Sequence, residues 1–171
     1  LRWQFHVGGS GLHLRSFVTA TKPRSSSTHN LKSVPVVLTG DTDLMQGSAA
    51  YSGKYASILD GYAVTPSQIE RDVFYIAERD GTLCGFYSLT LDGEPELDLM
   101  FVADGVQGSG LGSMLFRHMM AEARLRGIVS ITIVSHPPSV GFYEAMGAAV
   151  VGTKPPTIKA TWSRPILSLA I

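Results

Sequence analysis

A glycine-dense segment in the middle of the chain has the composition of an anion-binding turn. Gly108, Gly110 and Gly112 occupy alternate positions, and their missing Cβ atoms allow a ligand oxygen to approach the backbone. Apolar residues then recur at three- and four-residue spacing from Leu111 to Met119, which predicts an amphipathic helix. The first amides of a helix lack internal partners, and its dipole favours an anion there. The pattern predicts a phosphate-binding turn, and a plain glycine turn without a ligand is the alternative.

The residues of the turn exclude two common nucleotide-binding loops. A P-loop requires Lys and then Ser or Thr after its last glycine, whereas Ser113 and Met114 follow Gly112. The dinucleotide fingerprint has glycines at its first, third and sixth positions, but the sixth position counted from Gly108 is Ser113. The predicted phosphate therefore belongs to another class of ligand.

Two motifs of this chain resemble those of the GNAT acyltransferase superfamily, which binds coenzyme A. Residues Gln107–Gly112 are similar to the family's pyrophosphate loop, (Arg/Gln)-x-x-Gly-x-(Gly/Ala). Residues Phe142–Ala148 are similar to the Phe-Tyr-x-x-x-Gly-(Phe/Ala) stretch that closes the family's core. The motifs stand in the family's order, with a predicted helix and strand between them. The resemblance implies an α/β (α+β) fold with a central mixed, mostly antiparallel sheet, flanking helices and a V-shaped splay that holds coenzyme A.

The resemblance also implies a donor site for acetyl-coenzyme A, bound as a co-substrate and without a metal. Main-chain groups of the central strand would bind the pantetheine arm as an added strand, and a backbone N–H there would polarise the thioester oxygen. The pyrophosphate would lie against the glycine turn. The implied donor-binding residues are Met100, Phe101, Val102, Gln107, Gly108, Ser109, Gly110, Leu111, Gly112 and Ser113.

The family's reaction implies an acid and a base. In many members the tyrosine of the closing motif protonates the departing thiolate, and Tyr143 holds that position here. An attacking amine must first lose a proton, because a lysine-like amine has a pKa of about 10.4. The candidate bases are the carboxylates at the start of the central strand, with Asp98 preferred to Glu96 and Glu94 also considered. The implied activity is an N-acetyltransferase that acts by direct attack in a ternary complex.

The arrangement of Glu96 and Asp98 bears on which of them is the base. Strand alternation predicts that both lie on the same face as Met100 and Val102. Repulsion between two carboxylates raises the pKa of one and makes it a better base, whereas solvated surface groups are the alternative. His136 is a further candidate, either as a base or proton relay or as a loop histidine packed before two prolines.

The chain departs from the family's common pattern at three positions. Asp104 stands where many relatives have proline, Ser109 where they have a basic residue, and His136 where they have Asn or Asp. Without a cation at position 109, backbone amides and the helix end must hold the pyrophosphate. These departures support an alternative function, an acetyl-coenzyme A binding or sensing module without efficient catalysis. Covalent catalysis through Cys84 is disfavoured, because the cysteine lies inside a predicted strand.

Composition restricts the class of protein and its partners. A chain of 171 residues with 44% hydrophobic content suits one compact domain. Fourteen basic residues balance fourteen acidic ones, which argues against nucleic acid and anionic membranes as partners. The one cysteine excludes an intramolecular disulfide, and no apolar run reaches the length of a membrane span or of a signal peptide's core. We therefore expect a cytoplasmic protein, and the family resemblance implies a small-molecule or peptide amine as acceptor.

The N-terminal part divides from the rest by composition. Residues 1–33 are expected to form a hairpin or extension of uncertain origin, and residues 34–171 the acetyltransferase domain. Alternating residues flank the glycines at positions 8–11, and the hairpin that they predict would pack on a second copy and form a homodimer. An interaction protein built around this hairpin is a third possible function. The first strand of the sheet is either Leu12–Thr19 or Val34–Leu38.

Several further elements are predicted between residues 47 and 171. A capping box at Thr65–Gln68 places Pro66 at the first helical position. The predicted strands are Val73–Glu78 and Leu83–Leu91, joined by an Asp-Gly turn, then Glu96–Val102, the run at 128–134 and Thr161–Leu169. Residues 47–62 are rich in glycine and tyrosine, and in this fold they commonly shape the acceptor pocket. Their tyrosines, Tyr51, Tyr55 and Tyr62, contact a substrate or belong to the core.

Overall fold

The computed structural model describes residues 12–17, 53–60 and 62–171. The strands in this part of the chain are β1 (Leu12–Phe17), β2 (Val73–Arg79), β3 (Thr82–Thr90), β4 (Glu96–Val102), β5 (Ser130–Val134), β6 (Ala149–Lys154) and β7 (Arg164–Ala170). The α-helices are α1 (Pro66–Arg71), α2 (Leu111–Leu125) and α3 (Val140–Ala145). Short 3₁₀ helices occur at Gly53–Leu59, Asp104–Val106 and Pro137–Ser139.

All described strands form a single mixed sheet. Its order is β1-β2-β3-β4-β5-β7-β6, and every neighbouring pair is antiparallel except β4 with β5. The parallel pair is short, since only Glu96 with Thr132 and Leu97 with Ile133 are in register. Beyond these positions β4 and β5 separate. The predicted mixed, mostly antiparallel sheet with a V-shaped splay is therefore confirmed.

Local sequence signals account for the elements between residues 65 and 82. Thr65 Oγ1 accepts a hydrogen bond from the backbone N–H of Gln68, and Gln68 Oε1 accepts one from the N–H of Thr65, so the capping box of α1 is complete. Between β2 and β3, Asp80 and Gly81 have positive φ angles of 51° and 77°. Left-handed geometry at both positions is what a two-residue hairpin turn requires. The predicted helix start and hairpin turn are confirmed.

Helix α2 begins directly after the glycine turn and packs one side against the sheet. Its buried residues recur at helical spacing: Leu111, Leu115, Phe116, Met119 and Ala123. The chain turns away at Gly127, whose φ of 70° only glycine adopts readily. In the described part of the chain, no helix has the length and apolar composition that a membrane crossing requires.

The two faces of the sheet carry separate apolar clusters. The first cluster lies between the sheet and α2, and its strand residues include Tyr87, Leu97, Ile133, Leu167 and Leu169. The second cluster lies on the opposite face against α1, and it contains Val64, Ile69, Phe74, Ile76, Phe86, Leu99 and Phe101. Both faces of the middle strands are therefore buried, which fixes their register on both sides.

The outer strands of the sheet include two that the sequence predicted, β1 and β7, and one that it did not, β6. Of the two candidate first strands, Leu12–Phe17 pairs with β2, while Val34–Leu38 lies outside the described residues, as do most of the predicted hairpin and Tyr51. The domain boundary after residue 33 stays a prediction. Strand β6 was not predicted, because its residues are mostly exposed and show no alternation of apolar and polar types. The predicted closing strand is present as β7.

Gly85 marks a place where β3 and β4 approach too closely for a side chain. A Cβ built on it would lie 2.7 Å from the carbonyl oxygen of Phe101 and 3.1 Å from Leu115 Cδ1. We expect Gly85→Ala to lower the free energy of unfolding by about 1–3 kcal/mol, the usual cost of overpacking. Urea denaturation followed by circular dichroism measures the loss.

The matched control is Gly141→Ala. Gly141 lies in the short helix α3 and an added Cβ there meets open space, so this variant should be at least as stable as the parent. Equal stability of Gly85→Ala and the parent would contradict the close approach.

Candidate active site

A cavity of about 900 Å³ occupies the splay between β4 and β5. It is bounded by β4, by the turn that leads into α2, by the segment after β5 and by α3. Ile58, Leu59 and Tyr62 close it from the side of the second cluster. Most of the residues singled out from sequence line it: Glu96, Asp98, Met100, Phe101, Val102, Gln107, Gly108, Gly110, Gly112, Ser113, His136 and Tyr143. Residues that are far apart in the chain, from Ile58 to Arg164, thus face one space.

A β-bulge at Asp98 interrupts the alternation of β4. Leu99 is in register with Ser88 of β3, and Leu97 is in register with Leu89, so Asp98 has no partner across the pair. Leu97 consequently packs in the first cluster, while Leu99 packs in the second cluster on the opposite face. The prediction that Glu96 and Asp98 share a face with Met100 and Val102 is therefore wrong.

The bulge places the carboxylates on the face away from α2. Glu96 precedes Leu97 and points to the other side of the sheet, because neighbouring residues of a strand alternate. Asp98 acts electrostatically on Tyr62, which packs against the second cluster. Met100 and Val102 pack against the first cluster and α2 instead. Both candidate bases thus lie across the sheet from the helix that begins at the glycine turn.

The environment of Asp98 makes it a stronger base than a free carboxylate. Its pKa is raised above 3.8, first by loss of water on burial, then by the charges of Glu96 and Asp72, and Arg71 opposes the shift. The side chain is exposed, but its exposure is toward the cavity that it lines. Asp72 is buried and accepts hydrogen bonds of 2.8 and 3.0 Å from Arg71. The expected pairing of two carboxylates on one face is thus present, with a third nearby.

The turn before α2 has its amides open toward the cavity. Gly108 and Gly110 adopt positive φ angles of 76° and 86°, which side chains rarely tolerate. Gly110 is the N-cap of α2, and no side chain caps the helix there. The free amides of the first helical turn and the positive end of the dipole therefore face the space lined by Gly112 and Ser113.

Side chains around the turn contribute little positive charge. Ser109 does not line the cavity, since its Oγ donates a 2.6 Å hydrogen bond to the carbonyl oxygen of Val106. Gln107 Nε2 donates to Asp104 Oδ1 at 2.7 Å, which keeps a carboxylate beside the turn. The side chain of Leu111 is buried in the first cluster. Ser109 and Leu111 can therefore offer a ligand only backbone groups.

His136 and Tyr143 both line the cavity after β5. His136 is 6% exposed and meets the ring of Tyr55 edge-on, with centroids 5.6 Å apart. Tyr55 in turn contacts Trp162 at 4.8 Å. Tyr143 is 9% exposed in α3 and its ring lies 5.3 Å from that of Phe142. The roles expected of His136 and Tyr143 stay predictions.

Comparison with known proteins decides the family. The family model described as Acetyltransferase (GNAT) family matches residues 48–148, which is more than half of the chain. The chain belongs to the GNAT acetyltransferase family. No curated protein sequence matches it.

Solved GNAT structures share the fold at low sequence identity. One from Rhodopseudomonas palustris has a TM-score of 0.69 and 17% identity, and the match covers 98% of this chain and 100% of that one. An acetyl-CoA-bound GNAT acetyltransferase from Elizabethkingia anophelis has a TM-score of 0.61 at 17% identity, over 94% and 99% of the two chains. The ribosomal-protein-S18-alanine N-acetyltransferase of Escherichia coli has a TM-score of 0.60 at 18% identity, over 85% and 92%.

The residues present fit the donor that GNAT proteins bind. The glycine turn and uncapped helix suit a pyrophosphate, and the edge of β4 past Leu97 is released from β5 where an extended arm would pair. In the described part of the chain, no cluster of His, Cys, Asp or Glu is arranged to hold a metal ion.

Lys154 and Arg164 are cavity residues that the sequence did not reveal. They lie on β6 and β7, where they are directly opposite each other. No motif surrounds either residue, and β6 itself was not predicted. A signal for them exists only once the register of the β6–β7 pair is known.

Position 109 offers a direct test of the turn as a pyrophosphate site. Ser109→Lys restores the cation common in the family, and we expect acetyl-CoA to bind about two- to fivefold more tightly, as an exposed ion pair allows. Acetyl-pantetheine, which lacks the pyrophosphate, should gain nothing. Isothermal titration calorimetry measures both ligands. Ser109→Ala is the control, because it removes the bond to Val106 without adding charge, and an equal gain for both ligands would exclude the site.

The elevated pKa of Asp98 is also measurable without activity. Carboxylate ¹³C chemical shifts followed through a pH titration should give Asp98 a pKa above 3.8. Glu96→Gln should lower that pKa part of the way, since repulsion is removed while burial remains. Glu94→Gln is the matched control, because Glu94 is exposed and is not among the groups that shift Asp98. An unshifted Asp98 would remove the argument for it as the base.

Proposed function

We propose that this protein transfers the acetyl group of acetyl-CoA to a primary amine by direct attack in a ternary complex. The observation that carries the proposal is the single cavity shared by the turn of α2, the released edge of β4, Asp98 and Tyr143. In this proposal the turn binds the pyrophosphate, the edge of β4 binds the pantetheine arm, Asp98 accepts the proton of the amine and Tyr143 protonates the thiolate. Membership of the GNAT family and the acetyl-CoA-bound neighbour support the donor.

The donor is held by backbone groups more than by side chains. The pyrophosphate lies against the amides of Gly108–Ser113, and the pantetheine arm extends along Met100–Val102 in the place that β5 leaves open. Acetyl-CoA supplies the thioester whose carbonyl carbon accepts the amine. A backbone N–H of the open edge stabilises the charge that develops on the carbonyl oxygen, an effect commonly worth about 3 kcal/mol.

Asp98 removes the proton from the attacking ammonium, directly or through a water molecule. A carboxylate with a raised pKa is nearer to the pKa of the amine, which lowers the cost of that transfer. Because Asp98 must be ionised to act, the rate should rise with pH as the carboxyl group loses its proton. Glu96 maintains the elevated pKa, and His136 is a second candidate to relay the proton.

Tyr143 completes the reaction on the sulfur side. The nitrogen–carbon bond forms, the carbon–sulfur bond breaks, and the departing thiolate takes a proton from the hydroxyl group of Tyr143. The second proton that the nitrogen loses as the amide forms restores this hydroxyl group. The protein then holds coenzyme A and the acetylated amine.

The balanced composition and single cysteine support a cytoplasmic location, and the predicted N-terminal hairpin is the support for a homodimer.

A sensing module that binds acetyl-CoA without turnover is the second candidate. The observation in its favour is the turn itself, where Gln107 keeps the Asp104 carboxylate close and Ser109 supplies no cation. The two functions differ in the fate of the bound donor. An enzyme consumes the donor when an amine is supplied, and a sensor does not.

Thermal unfolding with acetyl-CoA and thiol release with a panel of primary amines test the proposal together. Ligand at a hundred times its Kd adds about 2.7 kcal/mol, which for a chain of this size raises Tm by several degrees. Tyr143→Phe should reduce turnover by about 10²-fold and leave the Tm shift unchanged. Tyr75→Phe is the control, since Tyr75 lies outside the cavity beside His118. A full Tm shift without acetylation of any amine would favour the sensor, and no shift would remove the donor site.

A further inference from the structure

The cavity carries two cations on the side opposite its carboxylates. Lys154 ends β6 and Arg164 begins β7, and the two residues are directly opposite in the antiparallel pair. Side chains of such a pair lie on the same face of the sheet. Both line the cavity that Glu96 and Asp98 also line.

The register of the sheet places Glu96 on the same face as Lys154 and Arg164. Glu96 is in register with Thr132 of β5, and Thr132 with Ser168 of β7, so these three share a face. Arg164 is four residues from Ser168 on a strand without a bulge, and it therefore points the same way. This is the face away from α2, where the base candidates lie. The cations thus point away from α2, although they line the same cavity as the turn that precedes this helix.

The described residues supply no counter-ion for these cations. Among the described residues, neither Lys154 nor Arg164 forms an ion pair. The Nε of Arg164 is buried and has no hydrogen-bond acceptor in this part of the chain. A guanidinium group without partners in a recess carries a desolvation cost that an anionic ligand would relieve.

The residues around the cations are held in place. Beyond β6, the carbonyl oxygen of Lys159 accepts a 2.7 Å hydrogen bond from Ser57 Oγ, and Lys159 Nζ donates to the carbonyl oxygen of Asp60 at 3.3 Å. Trp162 packs on Tyr55. The loop that joins the two cationic positions is therefore fastened to the 3₁₀ helix at the acceptor side of the cavity.

We infer that the acceptor is an amine that also carries a carboxylate, as a free amino acid does. This inference rests on the proposed function. The ammonium group is received by Asp98 and Glu96, and the carboxylate by Arg164 and Lys154. Because β5 lies between β4 and β7, the carboxylates and the cations occupy separate strands on the two sides of the splay, and both pairs line the same cavity. An amine with several positive charges meets repulsion at Arg164.

Amino acids and their carboxamides provide the test, because the carboxamide keeps the size and the amine and loses the negative charge. We expect kcat/KM for the preferred amino acid to exceed that for its carboxamide by at least tenfold, about 1.4 kcal/mol. Carboxamide amines are less basic and react more readily near neutral pH, so basicity alone would favour the carboxamide. Binding of both series is measured separately by Tm shift, with and without coenzyme A.

Substitution of each cation shows whether it causes the preference for amino acids over their carboxamides. Arg164→Gln and Lys154→Gln should each remove most of the preference and leave the Kd of acetyl-CoA unchanged. Arg124→Gln is the matched control, since Arg124 is exposed near the end of α2 and does not line the cavity. All variants are compared for Tm before kinetics, so that a loss of folding is seen.

Three outcomes overturn the inference. One is equal or better use of carboxamides, and another is the absence of any binding or turnover of amino acids while acetyl-CoA binds. The third is weaker acetyl-CoA binding in Arg164→Gln, which would assign the cations to the donor's phosphates. Failure of acetyl-CoA to bind the parent protein would instead overturn the proposed function. Binding of amino acids is measured without coenzyme A as well, so the two failures can be told apart.

Discussion

The early end of pairing between β4 and β5 is the constraint on which the site depends. The course of β4 is set by β3 and that of β5 by β7, because each strand forms a long antiparallel ladder with that neighbour. Between β4 and β5 only two residue pairs are in register. The N–H of Ser135, just past β5, donates to the carbonyl oxygen of Pro165 rather than to β4. Two halves of the sheet thus diverge where they meet. The edge of β4 beyond Leu97 is therefore not covered by β5 and lies open to the cavity.

The bulge at Asp98 converts this gap into a site with two sides. One extra residue in β4 sends Leu97 and Leu99 to opposite clusters, and burial of both fixes the bulge in place. Glu96 and Asp98 consequently face away from α2, while Met100 and Val102 face it. Groups suited to a phosphate and groups suited to a proton transfer thus lie on opposite sides of β4. A regular strand would have brought them together.

The features that could be predicted from the sequence are those that residues adjacent in the chain determine. The box at Thr65, the turn at Asp80 and Gly81, and the glycine turn before α2 are each encoded by adjacent residues. The bulge was missed because alternation is the default for a strand, and only the packing of Leu97 and Leu99 on different faces reveals the break. Lys154 and Arg164 were missed for a different reason. Their proximity to the cavity depends on the β6–β7 register and on β5 lying between β7 and β4, which no local pattern contains.

The raised pKa of Asp98 has a cost as well as a use. A carboxyl group whose pKa is raised on folding destabilises the folded state once the pH is high enough to ionise it. The same rise in pKa lowers the cost of the proton transfer from an ammonium group that we propose for Asp98. Arg71 limits the cost, and because it is bound to Asp72 it does so without contacting Asp98. The carboxylate therefore stays available to a substrate, and its basicity is set by surroundings that do not occupy it.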